Sequence, residues 1–362
     1  MGETADHKKK AQLEGLREVE SQFPAGYGET KVMNIPIRQL ILLVLPFIGG
    51  FYFGHFAHNL YPDWWNTSGP SLDLYYRLKK MQEYYSNESE PELSNQTMRI
   101  LCFILTEPKN HQTKAKAVNA TWARRCTTYF FVTSKAEPSL PNFVAVDHEG
   151  REMLWDKVKN SLKHVALKYA ENHDFFLKAD DDTYVIMENL KKLLANMNSS
   201  EPFVVGRHFR LPRNRLDYLS GGGGYVMSKE ALLRVVHGIK TKPACGGSSR
   251  GGAEDVNVGL CVKSVGVKVL ESLDEFGLER FHPFDPRHMF NPETLRSIPW
   301  FHHFNYHKAV TGSKCCSIYS ISFHYVNPID MYVIDYFLYQ MRVHGQRPRE
   351  IANETNGFRV QV

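Results

Sequence analysis

Phe175-Phe176-Leu177-Lys178-Ala179-Asp180-Asp181-Asp182-Thr183-Tyr184-Val185 runs from apolar residues into three consecutive carboxylates and back again. Residues 175–177 read as the end of a buried strand. A strand ending in Asp-Asp-Asp carries concentrated negative charge to the edge of a sheet. Carboxylates this close repel one another, and burying them without a partner is costly. A cation is therefore expected there. Hard oxygen ligands suit a divalent metal, and a metal can bridge to a diphosphate. A solvated acidic turn is the competing reading.

Upstream, Met98-Arg99-Ile100-Leu101-Cys102-Phe103-Ile104-Leu105-Thr106 is an apolar strand that opens into a polar loop at 107–114. A helix is expected at 115–125, and strands at 129–133 and 143–146. Leu154, Val158, Leu162, Val165, Ala166 and Tyr169 have helical spacing within 152–169. Downstream, a helix is expected over 184–197, then a strand at 203–206. Strands alternating with helices predict an α/β sheet covered on both faces. In such sheets ligands sit beyond the carboxyl ends of strands. Thr106 and the carboxylates at 180–182 lie at such ends and can share one cleft.

Four glycines, Gly221 to Gly224, stand between apolar residues and permit very close backbone approach. Strand-like residues abut both sides, and Ser228-Lys229-Glu230-Ala231 opens a helix, so a backbone pressed against a ligand is preferred to a linker. Glu254 and Asp255 start another helix, whose free N–H groups favour anions. Either could cap it. They cannot both be the cap, which leaves one for chemistry. Phe281-His282-Pro283-Phe284 and the aromatic run at 300–306 could stack on a sugar, although most aromatics are core. His324 lies inside an expected strand, Ser322-Phe323-His324-Tyr325-Val326; alone it reads as a satisfied core histidine.

Residues 40–60, LILLVLPFIGGFYFGHFAHNL, are about long enough to span a bilayer. A buried core helix is the alternative. Lys31 and Arg38 precede the segment, which leans towards a cytoplasmic N-terminus. Six cysteines and Asn-x-Ser/Thr sequons at Asn66, Asn87, Asn95, Asn119, Asn198 and Asn353 all follow it. The simplest organisation is a tail at 1–38, a signal anchor at 39–60, a stem at 61–98, a folded domain at 99–345 and a tail at 346–362. The net charge of +5 on 362 residues is mild and spread out, so nucleic-acid binding is not expected. No Cys-x-x-Cys spacing suggests a zinc ribbon. The adjacent Cys315 and Cys316 either pair elsewhere or bridge to each other.

Taken in order, Thr121-Trp122-Ala123-Arg124-Arg125-Cys126, the acidic stretch, Ser220-Gly221-Gly222-Gly223-Gly224-Tyr225-Val226, Glu254-Asp255-Val256, Phe281-His282-Pro283-Phe284, Cys315-Cys316 and Ser322-Phe323-His324-Tyr325-Val326 carry a family likeness. Over roughly residues 99–345 the chain resembles the glycoprotein-N-acetylgalactosamine 3-β-galactosyltransferases, the core 1 β1,3-galactosyltransferases of glycosyltransferase family 31. The acidic triplet occurs in many sugar-nucleotide transferases. The cysteine pair with the His-Tyr-Val and Phe-His-Pro-Phe segments is more specific.

The resemblance implies a GT-A domain, a Rossmann-like mixed sheet flanked by helices, behind the signal anchor in the Golgi membrane, as a single-pass type II protein with its catalytic domain lumenal. It implies UDP-galactose as donor, Mn²⁺ as cofactor and GalNAc-bearing glycoproteins as acceptors; a homodimer is a further expectation. It implies that Asp180, Asp182 and His324 hold the metal, that Asp180 also faces the nucleotide, and that Asp255 is the catalytic base. Thr106, Lys178, Gly222 and Gly223 are expected in the donor pocket, and Trp300 and Tyr325 at the acceptor. Within that frame the cysteines are expected to pair as Cys102–Cys126, Cys245–Cys261 and Cys315–Cys316. The family has Gly-Gly-Ala-Gly where this chain has Gly221 to Gly224, and segments 246–252 and 290–299 match poorly. Competing functions are a related β1,3-transferase with another donor or acceptor, N-acetylglucosaminyl or fringe-like, and a non-catalytic, chaperone-like relative.

Overall fold

A computed structural model describes residues 98–212, 215–246, 253–342 and 344. They fall within one compact unit, Leu93–Val362. The apolar segment at 39–60, with its expected tail and the expected stem up to residue 97, lies outside the described residues, as does 346–362. Among the described residues no helix is long and apolar enough to cross a membrane.

The strands in chain order are β1 (Ile100–Leu105), β2 (Thr128–Thr133), β3 (Asn142–Val144), β4 (Phe175–Asp180), β5 (Tyr184–Val185), β6 (Phe203–Gly206), β7 (His208–Leu211), β8 (Leu216–Leu219), β9 (Tyr225–Ser228), β10 (Lys268–Leu270), β11 (Phe281–His282) and β12 (Ser322–Phe323). Seven of them form the main sheet, in the order β10-β6-β9-β4-β1-β2-β3. Only β9 runs against its neighbours. The carboxyl ends of β1, β4 and β6 therefore share one edge with the amino end of β9, where the glycines enter.

Strand β1 is central because it is apolar on both faces. Ile100, Cys102 and Ile104 pack into one core, and Leu101, Phe103 and Leu105 into the other, as a period of two requires. Full burial of a large apolar side chain contributes roughly 1.5–3 kcal/mol, so such a strand belongs in the middle of the sheet. Helices α1 (Lys116–Ala120) and α2 (Met187–Leu194) supply Ala117, Val118, Met187, Leu190 and Leu194 to the first core. The second is covered by Leu154–Lys168, Lys229–Thr241 and Glu254–Ser264. Ser228 caps the second of these three, accepting from the Ala231 amide at 3.1 Å.

The structure departs from sequence expectation in three places. The helix expected at 115–125 is broken at Thr121, whose hydroxyl donates back to the Ala117 carbonyl at 2.8 Å; a short 3₁₀ turn, Trp122–Arg125, follows. The helix expected over 184–197 is preceded by β5, because Tyr184 and Val185 are buried and paired with β12. The strand expected over 322–326 ends at Phe323. Arg210 and Asp217 join the hairpin of β7 and β8 by a two-point ion pair, with 2.5 and 3.0 Å contacts.

Three disulfides are formed: Cys102–Cys126, Cys245–Cys261 and Cys315–Cys316. The first ties the central strand to the turn 24 residues later. Closing a loop of that size removes denatured-state freedom worth roughly 3 kcal/mol. The double variant Cys102→Ala/Cys126→Ala should lower unfolding free energy by about that amount. Urea denaturation checks this; an unshifted midpoint would mean that the bridge constrains nothing.

Candidate active site and metal centre

Asp180 closes β4, and the chain turns at once. The Thr183 amide donates to the Asp180 carbonyl at 3.1 Å, and the Thr183 hydroxyl donates to the Gly222 carbonyl at 2.8 Å. Strand β5 then pairs antiparallel with β12, Tyr184 opposite Phe323 and Val185 opposite Ser322. In that register the residues before Tyr184 run beside those after Phe323. The Val326 amide donates to the Asp182 carbonyl at 2.9 Å. His324, just past the strand rather than within it, thereby reaches the triplet. Its Nε2 lies 3.2 Å from Asp182 Oδ1 and 3.9 Å from Asp180 Oδ2. One ligand atom from each of the three residues fits within a 4.8 Å cluster.

Asp181 turns the other way. It accepts from the Thr106 hydroxyl at 2.7 Å and from Asn110 Nδ2 at 2.9 Å. Thr106, expected to line the donor pocket, is buried behind the triplet with its hydroxyl committed to Asp181. The other two carboxylates each meet a lysine. Lys178 Nζ is 2.9 Å from Asp180 Oδ1, and Lys114 Nζ is 2.8 Å from Asp182 Oδ2. Part of the cationic charge expected at the triplet thus comes from the protein. Sequence reasoning missed Lys114 and Asn110. The available signal was their place in the polar loop directly after the central strand, at the ligand-binding edge.

The glycine stretch forms a wall against these side chains. A Cβ on Gly222 would lie 2.1 Å from the His324 ring, so only glycine fits there. Gly224 has φ +77, which lets the chain enter β9. The Gly223 carbonyl accepts from the Ser322 hydroxyl, and its amide donates to Ser220 Oγ at 3.3 Å. Gly222 and Gly223, expected against the donor, thus spend their carbonyls on Thr183 and Ser322.

Asp255 and Glu254 sit in the first turn of Glu254–Ser264, beyond the same wall. Half-buried Asp255 accepts from the Gly221 amide at 3.3 Å and from the Val256 amide at 2.9 Å. Burial raises its pKa, while the Gly221 amide and Lys178 pull it down. Glu254 is buried, accepts from the Tyr225 hydroxyl at 3.0 Å and lies 3.5 Å from Lys178 Nζ. Burial pushes its pKa up to about 7, against the pull of Lys178. Burial pulls the Lys178 ammonium down, but Asp180 and Glu254 outweigh it and hold its pKa above the ordinary value. Of the two carboxylates, Glu254 is the one tied to buried partners. Among the described residues, Asp255 hydrogen-bonds to backbone amides alone.

Trp300 and Tyr325, the expected acceptor contacts, flank Phe284, with ring centroids 5.4 and 6.0 Å from it. Tyr325 also stacks on His324 at 3.8 Å. Its φ of 58 is a left-handed conformation that an aromatic residue rarely adopts.

Two carboxylates and an imidazole suit a divalent ion of the Mn²⁺ or Zn²⁺ class. The carboxylate oxygens that face His324 are those turned away from the lysines, so this donor set fits a metal. The Fringe-like family model matches residues 95–335. Glycoprotein-N-acetylgalactosamine 3-beta-galactosyltransferase 1 of Xenopus laevis is 38% identical over 264 residues, covering 73% of this chain and 72% of its own. The chain belongs to the glycoprotein-N-acetylgalactosamine 3-β-galactosyltransferases, within the Fringe-like family. More distant relatives of this galactosyltransferase family also match. Beta-1,3-glucosyltransferase of Mus musculus is 25% identical over 48% of this chain and 35% of its own. Chondroitin sulfate synthase 3 of Mus musculus is 28% identical over 45% of this chain and 20% of its own.

Gly222→Ala should displace the His324 ring and, if the cluster holds a divalent ion, weaken its affinity by on the order of 10–100-fold, the range for disturbing a ligand's support. Isothermal titration calorimetry measures this, and unchanged affinity would mean that the ring is not a ligand. Glu254 gives a pH signature. Its folded pKa of about 7 exceeds its ordinary 4.5, so its contribution to stability is full below 4.5 and is lost as pH rises through about 7. Glu254→Gln should therefore remove one component of the stability decline across that window in urea titrations at several pH values. An identical slope for both chains would contradict the assignment.

Proposed function

We propose that the chain transfers galactose from UDP-galactose to the 3-hydroxyl of GalNAc α-linked to Ser or Thr on glycoproteins, with inversion. The observation that carries this reading is one sheet edge with two separate carboxylate sets: Asp180 and Asp182 facing His324, and Asp255 held by the Gly221 amide. Family membership supports the reading, and the mixed sheet agrees with a GT-A domain.

The Asp255 carboxylate takes the proton from the acceptor 3-hydroxyl as its oxygen forms a bond to the anomeric carbon of galactose. The bond from that carbon to the UDP oxygen breaks, and UDP departs on the opposite face. Asp180, Asp182 and His324 would hold Mn²⁺, which when bound neutralises charge developing on the diphosphate. Lys178 stands 2.9 Å from Asp180 Oδ1 and Lys114 2.8 Å from Asp182 Oδ2, which leaves the opposite oxygen of each carboxylate towards His324 for the metal. Trp300 and Tyr325 supply apolar faces for the acceptor sugar. The three formed disulfides agree with an oxidising lumen, and so with a Golgi catalytic domain anchored by residues 39–60.

Incubating the chain with UDP-galactose, Mn²⁺ and a GalNAc-peptide, followed by linkage analysis, tests the reaction; a β1,3-linked galactose is expected. Transfer of another sugar would favour a different donor, and no turnover of any UDP-sugar would favour the chaperone-like alternative. Asp255→Asn should retain UDP and Mn²⁺ binding while transfer falls by about 10²–10⁴-fold, the usual scale for a general base. Asp182→Ala should instead lose metal-dependent UDP binding. Wild-type turnover by the first variant, or unchanged UDP affinity in the second, would reverse the respective role.

A further inference from the structure

His208, Glu271 and His307 form a second cluster of metal-type donors built from residues outside the triplet. Their nearest ligand atoms lie within 4.8 Å of one another. Glu271 Oε1 is 3.3 Å from His208 Nδ1, and its Oε2 is 2.5 Å from His307 Nε2. His208 opens β7, Glu271 directly follows β10, and His307 follows the helix Pro299–Phe304. Three segments distant in sequence therefore converge on one point.

Backbone contacts hold that convergence in place. The Tyr306 amide donates to the His208 carbonyl at 3.3 Å, and Phe209 forms a bridge with Asn305. The Ser272 hydroxyl donates to the Gly206 carbonyl at 2.9 Å, fixing the neighbour of Glu271. His208 is buried, and Tyr306 stacks on its ring at 3.8 Å with an interplanar angle of 4°. The other ring nitrogen, Nε2, has no well-formed hydrogen bond but faces Asp217 Oδ1 at 3.5 Å. Asp217 is itself gripped by Arg210. A carboxylate behind the far nitrogen is how metal-bound histidines are oriented and made more basic. An ordinary His–Glu ion pair does not need that second carboxylate. On the open side, Glu271 and His307 are half-exposed and give an ion a way in.

We propose that His208, Glu271 and His307 form a second metal site that takes Zn²⁺ or a similar borderline divalent ion. Two imidazoles and one carboxylate are a known zinc donor set, with a fourth position left for water. The ion clips β7 and the end of β10 to the loop that follows the Trp300 helix. It thereby braces the hairpin whose Tyr218 packs against Gly259 of the helix that carries Asp255. Its role is structural support on the acceptor side of the cleft.

Cobalt uptake tests this, because Co²⁺ in a four-coordinate site gives visible d–d absorption that reports the site without activity. The probe is CoCl₂ added to the full chain carrying Asp182→Asn, after chelator treatment. One Co²⁺ per chain with that absorption is expected, displaced by one equivalent of ZnCl₂. Adding Glu271→Gln or His307→Ala should abolish the signal. Asp217→Asn should weaken uptake on the order of 10–100-fold, as loss of a carboxylate behind a ligand does. Both ligand substitutions are at half-exposed side chains, so one remains decisive if the other misfolds. Zn²⁺ should also raise the thermal midpoint of the Asp182→Asn chain and leave the doubly substituted chains unmoved. No Co²⁺ absorption in the Asp182→Asn chain, or absorption that survives both ligand substitutions, would overturn the site.

Discussion

The pairing of Tyr184 with Phe323 is the contact on which the site depends. It is two residues long on each strand. A few strand hydrogen bonds, each worth about 1 kcal/mol net, could not hold so short a pair alone. Burial does the rest. Tyr184 is fully buried, and its hydroxyl donates to Asp335 Oδ1 at 3.0 Å. Arg125 donates to the same oxygen at 2.9 Å, so the helix Pro328–Asp335, the turn before β2 and β5 are locked at one point. Without that lock His324 is a loop residue far along the chain from Asp182. With it, an imidazole and two carboxylates face one another.

Lys178 is the second constraint. Side chains alternate along β4, so Phe176, Lys178 and Asp180 share a face. That face meets the helix beginning at Glu254. A fully buried ammonium is tolerated only when surrounded by acceptors. Here they are Asp180 Oδ1 at 2.9 Å, the Gly221 carbonyl at 3.1 Å and Glu254 Oε2 at 3.5 Å. One positive charge thus sits between Asp180 in the triplet half of the site and Glu254 in the other half. It offsets the repulsion that the approach of Asp180 and Glu254 would otherwise carry. It also makes the halves electrostatically dependent, because any charge added at Asp180 is felt at Glu254 through Lys178.

Strands β1, β2, β4 and β6 were legible in sequence because apolar runs in them open into polar loops at one end; β10 carries no such run. The triplet was legible because charge at a strand end demands an explanation. The short elements were not. Strand β5 is two residues inside a helix-like pattern, and what makes it a strand is a partner at 322–323. The break at Thr121 depends on one side-chain hydrogen bond. The same limit applies to the site. Asp181 has no role readable from sequence, because its partners, Thr106 and Asn110, come from the end of another strand and its loop. Lys114 looked like an ordinary polar-loop residue until the register of β1 and β4 set Leu105 beside Asp180. Glu254 and Asp255 could not be told apart from their spacing, since tertiary partners decide which is buried and which remains available.

The ring of His324 shows why local rules are broken here. On one side Gly222 presents bare backbone, where any side chain would collide with the imidazole. On the other, Tyr325 stacks at 3.8 Å, which its left-handed backbone makes possible. Such a conformation costs on the order of 1–3 kcal/mol, and it persists only where the surroundings over-determine it. They do: the His324 amide donates to the His282 carbonyl at 3.1 Å, and the Val326 amide to the Asp182 carbonyl at 2.9 Å, fixing the backbone on both sides of the strained residue. The proposed role of His324 as a metal ligand requires a ring held close to its working position before an ion arrives. Packing on both ring faces restricts the imidazole more than a single hydrogen bond would. The glycine wall and the strained tyrosine are therefore one device, and a substitution at either should act through the same ring.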